Sequence, residues 1–279
     1  MIQLPSARDR LENRLKELGI VAKKSLGQNF LVSDLVIQKI IQAAVDLKPD
    51  RMIEVGPGPG ALTDYLVNFE KPLQLIELDR NVAHYWRERG FSVIEEDALR
   101  LNWQQFITDE NLILVSNLPY QISSSIVIDR SVDPSGVKAM VLMFQKEVAQ
   151  RIRASEQSDQ YGLLSVIAQN FWKIETVTDA GPRDFDPAPK VASRVLKFIR
   201  RESHCLEPNR FLTFAKVAFA QRRKLLKANL RGLPADFQYT EEKLLSWVQQ
   251  NGYKETLRAE ELSPQKMMSL YEHFNHSRK

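Results

Sequence analysis

Short apolar runs alternate with stretches of helical periodicity through the middle of the chain. The runs are Arg51–Val55, Leu73–Ile76, Phe91–Ile94, Leu112–Val115 and Ala139–Phe144. The spacing of apolar positions between them predicts helices around 61–69, 80–89, 100–108 and 122–130. This βαβα rhythm predicts a doubly wound, mostly parallel α/β sheet of Rossmann-like type. In such a sheet ligands bind beyond the carboxyl ends of the strands. The residues that follow each run are therefore the candidates for chemistry.

The flanks read differently. Residues 8–24 pattern as a basic amphipathic helix, running into Lys23-Lys24-Ser25-Leu26-Gly27 and then Gln28-Asn29-Phe30-Leu31. The last four either line a ligand pocket or serve as a surface connector. Ser33 or Asp34 is placed to cap a following helix with Leu35, Ile37, Ile40, Ile41 and Ala44 on its apolar stripe. After the fifth run, residues 145–154 look helical and Tyr161-Gly162-Leu163-Leu164 opens another helix. Trp172–Val177 and Val195–Ile199 read as late strands. Between them the alternating prolines of Phe185-Asp186-Pro187-Ala188-Pro189-Lys190-Val191 hold an extended loop. Beyond Arg200-Arg201 strand signals stop, and helices are predicted over 208–230, 240–251 and 264–274. The expected organisation is a basic N-terminal extension (1–24), the sheet domain (25–201) and a small all-helical C-terminal domain (202–279).

Composition narrows the classes. In 279 residues, 43% of them hydrophobic, no apolar run reaches the roughly 18 residues of a membrane span. The basic start has no apolar core segment and carries Asp9, Glu12 and Glu17, so neither a secretory signal nor a transit peptide is expected. The single cysteine, Cys205, allows no internal disulfide and fits a reducing compartment, the cytoplasm. His84, His204, His273 and His276 show no metal-ligand spacing, so no metal is expected. Net charge is only +4. Where it sits matters more: Arg222, Arg223, Lys224 and Lys227 cluster on the predicted 208–230 helix. Such a cluster is either a solvated face or a phosphate-binding surface.

Four strand ends carry candidate groups. The first is Glu54-Val55-Gly56-Pro57-Gly58-Pro59-Gly60, where glycines let the backbone approach a ligand at a helix start. Glu77, about twenty residues on, sits where an acid accepts hydrogen bonds from ribose hydroxyls. Asp97 follows the third run and is placed for an adenine amino group. Asn117-Leu118-Pro119-Tyr120 follows the fourth. Alone, those four residues signal a turn. At a ligand-binding strand end they suit an exocyclic amine on a flat base. The Asn117 side-chain oxygen and the Leu118 or Pro119 carbonyl would accept both N–H hydrogens, aiming the nitrogen lone pair at an electrophile while Tyr120 stacks on the ring. Phe185 either sandwiches that base against Tyr120 or packs into the core. The glycine spacing is G-x-G-x-G, not the wider dinucleotide fingerprint. S-adenosylmethionine, with a ribose, an adenine, a cationic methionine end and no phosphate, suits Glu77, Asp97 and Glu54 better than a nicotinamide cofactor.

These motifs, with Gln145-Lys146-Glu147-Val148 and Gln221-Arg222-Arg223-Lys224, run nearly end to end, and the chain resembles the ribosomal RNA small-subunit adenine dimethyltransferases, the KsgA/RsmA family. The resemblance implies an S-adenosylmethionine-dependent methyltransferase sheet with a helical RNA-binding domain. It implies transfer of four methyl groups to the 6-amino groups of two adjacent adenosines near the 3′ end of 16S rRNA, late in assembly of the 30S subunit. It implies cofactor contacts at Asn29, Leu31, Gly56, Glu77, Asp97 and Asn117. The target base falls to Asn117, Leu118, Pro119, Tyr120 and Phe185, and RNA contacts to Arg222, Arg223, Lys224 and Lys227. A monomer without membrane attachment is expected. The extension before Lys23 is longer than the family leads one to expect. The alternative is a sister adenine methyltransferase acting on 23S rRNA, of the antibiotic-resistance type.

Overall fold

A computed structural model describes residues 5–19, 29–108, 110–133, 136–202 and 205–275. The chain divides into two compact units. The first comprises Met1–Arg130, Pro134–Ala149 and Lys173–Arg200, and the second Ser131–Asp133, Gln150–Trp172 and Arg201–Lys279. The helical unit therefore takes in residues 150–172, which the sequence pattern assigns to the sheet domain.

The first unit is built on β2 (Arg51–Val55), β3 (Leu73–Glu77), β4 (Ser92–Glu95), β5 (Leu112–Ser116), β6 (Val137–Gln145), β7 (Trp172–Ala180) and β9 (Ser193–Arg200), in the order β4-β3-β2-β5-β6-β9-β7. β2 pairs in parallel with β3 and with β5, with Glu54 opposite Leu75 on one side and Val115 on the other. β4 extends the parallel set beyond β3, and β6 beyond β5, while β9 returns antiparallel to β6. The order reverses at β2 and β5. Connections leave those neighbouring strands in opposite directions, opening a crevice at their carboxyl ends.

Side chains on successive strand residues face opposite ways. Met52, Ile113, Val115, Ala139, Val141 and Met143 form one core with Ile37, Ile40 and Ala44 of α2 (Asp34–Val45). Their sequence neighbours Ile53, Leu112, Leu114, Met140 and Leu142 are fully buried as well. A sheet covered on both faces explains why these strands read as continuous apolar runs.

Helix ends follow local chemistry with one exchange. α1 (Ala7–Leu18) starts at Ser6, whose hydroxyl accepts the Asp9 N–H, and ends at Gly19 in a left-handed turn. Residues 20–28, including Lys23, Lys24 and Gln28, lie outside the described residues. Ser33 makes no side-chain cap for α2. The Asp34 carboxylate instead accepts the Ala7 N–H at 3.2 Å, placing an anion at the start of α1. α4 (Arg80–Glu88) is capped by Asp79, which accepts from Asn81 and Val82. The helix predicted at 100–108 is a single 3₁₀ turn, Trp103–Phe106, pinned by the Trp103 indole N–H on the Ala98 carbonyl at 2.8 Å.

In the second unit α7 (Leu163–Phe171), α8 (Pro208–Ala218), α9 (Leu226–Leu230), α10 (Glu241–Gln250) and α11 (Pro264–Asn275) surround Phe211, Phe214, Phe237, Tyr271 and Phe274. The predicted 208–230 helix is broken after Ala218. The buried Asn229 side-chain amide donates to the carbonyls of Ala218 (2.8 Å) and Gln221 (3.1 Å), satisfying acceptors that the end of α8 leaves open. Arg222 donates to the Ser158 and Asp159 carbonyls, so the basic motif forms the turn itself. No helix among the described residues is long and apolar enough to cross a membrane.

Replacing Asn229 by Ala strands two carbonyls. It should destabilise the protein by about 1–3 kcal/mol in chemical denaturation followed by circular dichroism. An unchanged midpoint would mean that solvent replaces the amide at no cost.

Candidate active site

A pocket of about 150 Å³ opens at the carboxyl ends of β2, β3 and β5. Its floor is the glycine turn. Gly56, Gly58 and Gly60 all have positive φ (66°, 50° and 86°), which side-chain-bearing residues rarely adopt. Backbone pairing fixes the turn to the sheet: the Gly56 N–H bonds the Ile76 carbonyl at 2.8 Å, and the Ser116 hydroxyl bonds the Val55 carbonyl. Asn117, Leu118, Pro119 and Tyr120 form the wall beyond β5. Tyr120 begins α5 (Tyr120–Val132), and its hydroxyl shares a 2.7 Å hydrogen bond with Ser193 of β9. The ring is thereby anchored at its polar end while remaining half-exposed on the pocket.

Three carboxylates stand on the wall: Glu54, Asp64 and Glu77. Burial pushes the Glu54 carboxyl up from 4.5 to about 8, opposed by the Thr63 hydroxyl hydrogen bond and reinforced by Asp64 and Glu77. Its Oε2 lies 2.7 Å from that hydroxyl. Burial also raises Glu77, against the backbone N–H groups of Asp79 and Gly58, which its two oxygens accept at 2.9 and 3.3 Å. Each carboxylate oxygen has further lone-pair capacity, so both acids can still accept from a ligand.

The last wall is α1, through Ala7, Arg10 and Leu11. Arg10 Nε and Arg14 Nη2 bind the two oxygens of Asp64 at 3.1 and 3.0 Å, and Arg14 Nη1 bonds the Pro59 carbonyl at 2.9 Å. A Cβ on Gly60 would lie 2.5 Å from Arg14 Nη1 and 2.6 Å from the Trp86 ring, so this glycine admits the helix as well as the turn. These contacts escape sequence reasoning. The one signal is Arg10 and Arg14 standing one helical turn apart on α1.

Of the cofactor and base positions singled out in the sequence, Asn29, Leu31, Gly56, Glu77, Asn117, Leu118, Pro119 and Tyr120 come together on this pocket. Two do not. Asp97 is absent from the pocket wall; its Oδ1 accepts the Leu99 N–H at 2.9 Å and its Oδ2 lies 3.8 Å from Arg100. Phe185 is only 3% exposed, in the core beside Leu31, which it faces across the pairing of β1 (Phe30–Leu31) with β8 (Phe185–Asp186). The core placement, not the stacking one, describes its ring here, because β1 holds its strand against the core.

Residues 20–276 match the family profile described as ribosomal RNA adenine dimethylase. The chain belongs to the ribosomal RNA adenine dimethylase family. A Bdellovibrio bacteriovorus relative named Ribosomal RNA small subunit methyltransferase A is 63% identical over 268 residues, covering 96% of this chain and 98% of the relative. A protein of the same name from Acidobacterium capsulatum is 37% identical over 258 residues, 89% and 90% of the two chains. Among solved structures, a Plasmodium falciparum dimethyladenosine transferase matches with a TM-score of 0.70 at 24% identity, over 88% of this chain and 98% of that one. The 23S rRNA methyltransferase ErmE matches with a TM-score of 0.62 at 24% identity, over 88% and 100%. Both show the methyltransferase sheet.

The donor set fits the methyl donor of this adenine dimethylase fold. Glu54 and Glu77, whose oxygens keep lone pairs open toward the pocket, suit a ligand with ammonium and hydroxyl donors, which is the chemistry of S-adenosylmethionine. Among the described residues no group of three or more acids, histidines or cysteines is placed to hold a metal ion.

The basic cluster lies in the helical unit and divides in two. Arg222 is committed within the protein, to Glu260 at 2.6 Å and to the Ser158 and Asp159 carbonyls. Lys227 pairs with Glu241 at 3.0 Å, and Arg231 pairs with the same carboxylate at 2.9 Å. Arg223 and Lys224 are exposed on the turn between α8 and α9.

Glu54 gives a pH signature. The unfolded chain ionises it near 4.5 and the folded one near 8. Its contribution to stability is whole below the lower value, falls as pH rises between the two, and is constant above. From about pH 5 to about pH 8, ligand-free Glu54→Gln should therefore lose less stability than the parent, by several kcal/mol. Parallel stability curves for the two proteins would remove the burial argument.

Proposed function

We propose that the protein transfers methyl groups from S-adenosylmethionine to the 6-amino groups of two adjacent adenosines near the 3′ end of 16S rRNA, on a pre-assembled small ribosomal subunit. The observation that carries this reading is the placement of Asn117-Leu118-Pro119-Tyr120 beside an acidic, glycine-floored pocket at the strand-order reversal. The name shared by the relatives supports the small subunit. The protein is expected to act as a monomer in the cytoplasm, with no metal.

When bound, S-adenosylmethionine supplies an electrophilic methyl group. The chain supplies position. An aromatic amine is a poor nucleophile because its lone pair is delocalised into the ring. Acceptance of both N–H hydrogens by the Asn117 side-chain oxygen and the Leu118 or Pro119 carbonyl pulls the nitrogen toward tetrahedral geometry. Tyr120, held at its hydroxyl by Ser193, offers its ring face to the base. No general base is required, since the alkylated amine is acidic enough to lose its proton to water. Glu77 serves the ribose, Glu54 the cationic methionine end, and the segment around Asn29 and Leu31 the remaining wall. Asp97 would take the adenine amino group only from a cofactor that reaches past β3. Phe185 would join the base only if the β1–β8 pair opened.

Immature small subunits lacking the modification, given labelled S-adenosylmethionine, should acquire dimethyladenosine. Asn117→Ala should reduce transfer by about a hundredfold or more, the scale of losing one positioned polar group, with particle binding retained. Absence of label on the rRNA would sink the proposal. The competing target, 23S rRNA, is favoured only by the structural likeness to ErmE. Mass spectrometry of digested rRNA distinguishes the two by the nucleotide modified.

Particle binding should weaken with salt. Arg223→Gln and Lys224→Gln should each lower the log–log salt slope by about one unit. Arg222 and Lys227, already paired with Glu260 and Glu241, should change it less. Equal slopes for all four variants would return the cluster to a solvated face.

A further inference from the structure

Arg10 is the single cation among the described residues on a pocket wall that also carries Glu54, Asp64 and Glu77. It is 9% exposed. Its guanidinium is only partly used. Nε donates to Asp64 at 3.1 Å, and Nη1 to the Pro5 carbonyl and, at 3.4 Å, to the Tyr65 hydroxyl, with Asp34 3.7 Å away. Nη2 is buried and has no hydrogen-bond partner. A buried charged donor with no acceptor is costly and rare.

Anchoring α1 does not explain that spare donor. Arg14 already ties the helix to Asp64 and to the Pro59 carbonyl. Arg10, by contrast, sits with Ala7 and Leu11 on the helix face that forms the pocket wall. The whole of α1 lies ahead of residues 20–276, the stretch the adenine dimethylase profile covers.

The methyl donor's amino-acid end carries two opposite charges. Its ammonium and its ribose hydroxyls are served by acids, but its carboxylate would be repelled by them. We propose that Arg10 binds the α-carboxylate of the donor's methionine end, its guanidinium turning the unpartnered Nη2 edge from its buried position onto the ligand, making α1 a working wall of the cofactor site. This rests on the reading of the pocket as a S-adenosylmethionine site. A planar guanidinium with a free N–H edge is the side chain best shaped for a carboxylate.

The test compares S-adenosylhomocysteine with its decarboxylated analogue, S-adenosyl-3-thiopropylamine, by isothermal titration on the full chain. The parent should bind S-adenosylhomocysteine about tenfold or more tightly over the analogue, the scale of one charge-assisted contact. Arg10→Met should abolish that preference, whatever affinity both ligands lose together with the Asp64 pair, while Arg10→Lys keeps part of it. Arg14→Met, which loosens α1 without touching the proposed contact, should weaken both ligands alike and preserve the preference. A parent that binds both ligands equally overturns the assignment whatever the variants do, and so does Arg10→Met retaining the parental preference. A parent that binds neither ligand overturns the cofactor reading of the pocket itself.

Discussion

In a parallel sheet every crossover covers one side of the strands it joins, and only where the strand order reverses do neighbouring strands send their chains apart. Here that happens between β2 and β5, and the rest of the site is a consequence. The glycine turn leaves β2 and Asn117-Leu118-Pro119-Tyr120 leaves β5, so two chemically different loops face one crevice without competing for space. The parallel registers on both sides of β2 fix how far each loop projects. The site is thus placed by a core in which Met52, Ile53, Ile113 and Leu114 are all fully buried. Placement on strand ends gives it the rigidity that holding a ligand in one geometry needs.

Electrostatics then decide what the crevice can hold. Glu54 sits inside the sheet end, where burial favours its neutral form. A cationic ligand nearby would favour the carboxylate again, so the pocket gains attraction for positive charge as it fills. Asp64 is different: both of its oxygens are engaged by Arg10 and Arg14, and it acts as the anchor of α1 rather than as a free acceptor. Cations on α1 therefore offset part of the acidic wall.

How much of this the sequence discloses depends on the range of the interactions involved. The five central runs and their ends are legible because apolar stretches stop at Gly56, Glu77 and Asn117, residues with a local reason to end a strand. The assembly of Asn29, Gly56, Glu77 and Asn117 follows from the parallel-sheet rule. Asp97 obeys the same rule and still falls off the wall. β4 is two strands from β2, about 10 Å at ordinary strand spacing, which strand-end logic does not register because it does not know strand order. The break after Ala218 is invisible for a related reason. It is made by Asn229, eleven residues on, and by Arg222 reaching a loop sixty-three residues back. The apolar spacing of 208–230 continues through the break undisturbed. Arg10 reads as one more surface charge until Asp34 and Asp64 are brought to it.

The basic cluster shows why net charge is a blunt guide to nucleic-acid binding. Of the four cations singled out in the sequence, Arg222 and Lys227 have carboxylate partners within the helical unit. A phosphate contacting either would have to compete with an existing ion pair, so little counterion release is gained there. Arg222 ties the turn to Glu260 and to the Ser158 and Asp159 carbonyls, while Arg223 and Lys224 on the same turn are exposed. A turn held by neighbouring ion pairs fixes the backbone from which Arg223 and Lys224 project, so a chain with a net charge of only +4 still concentrates exposed positive charge at one place.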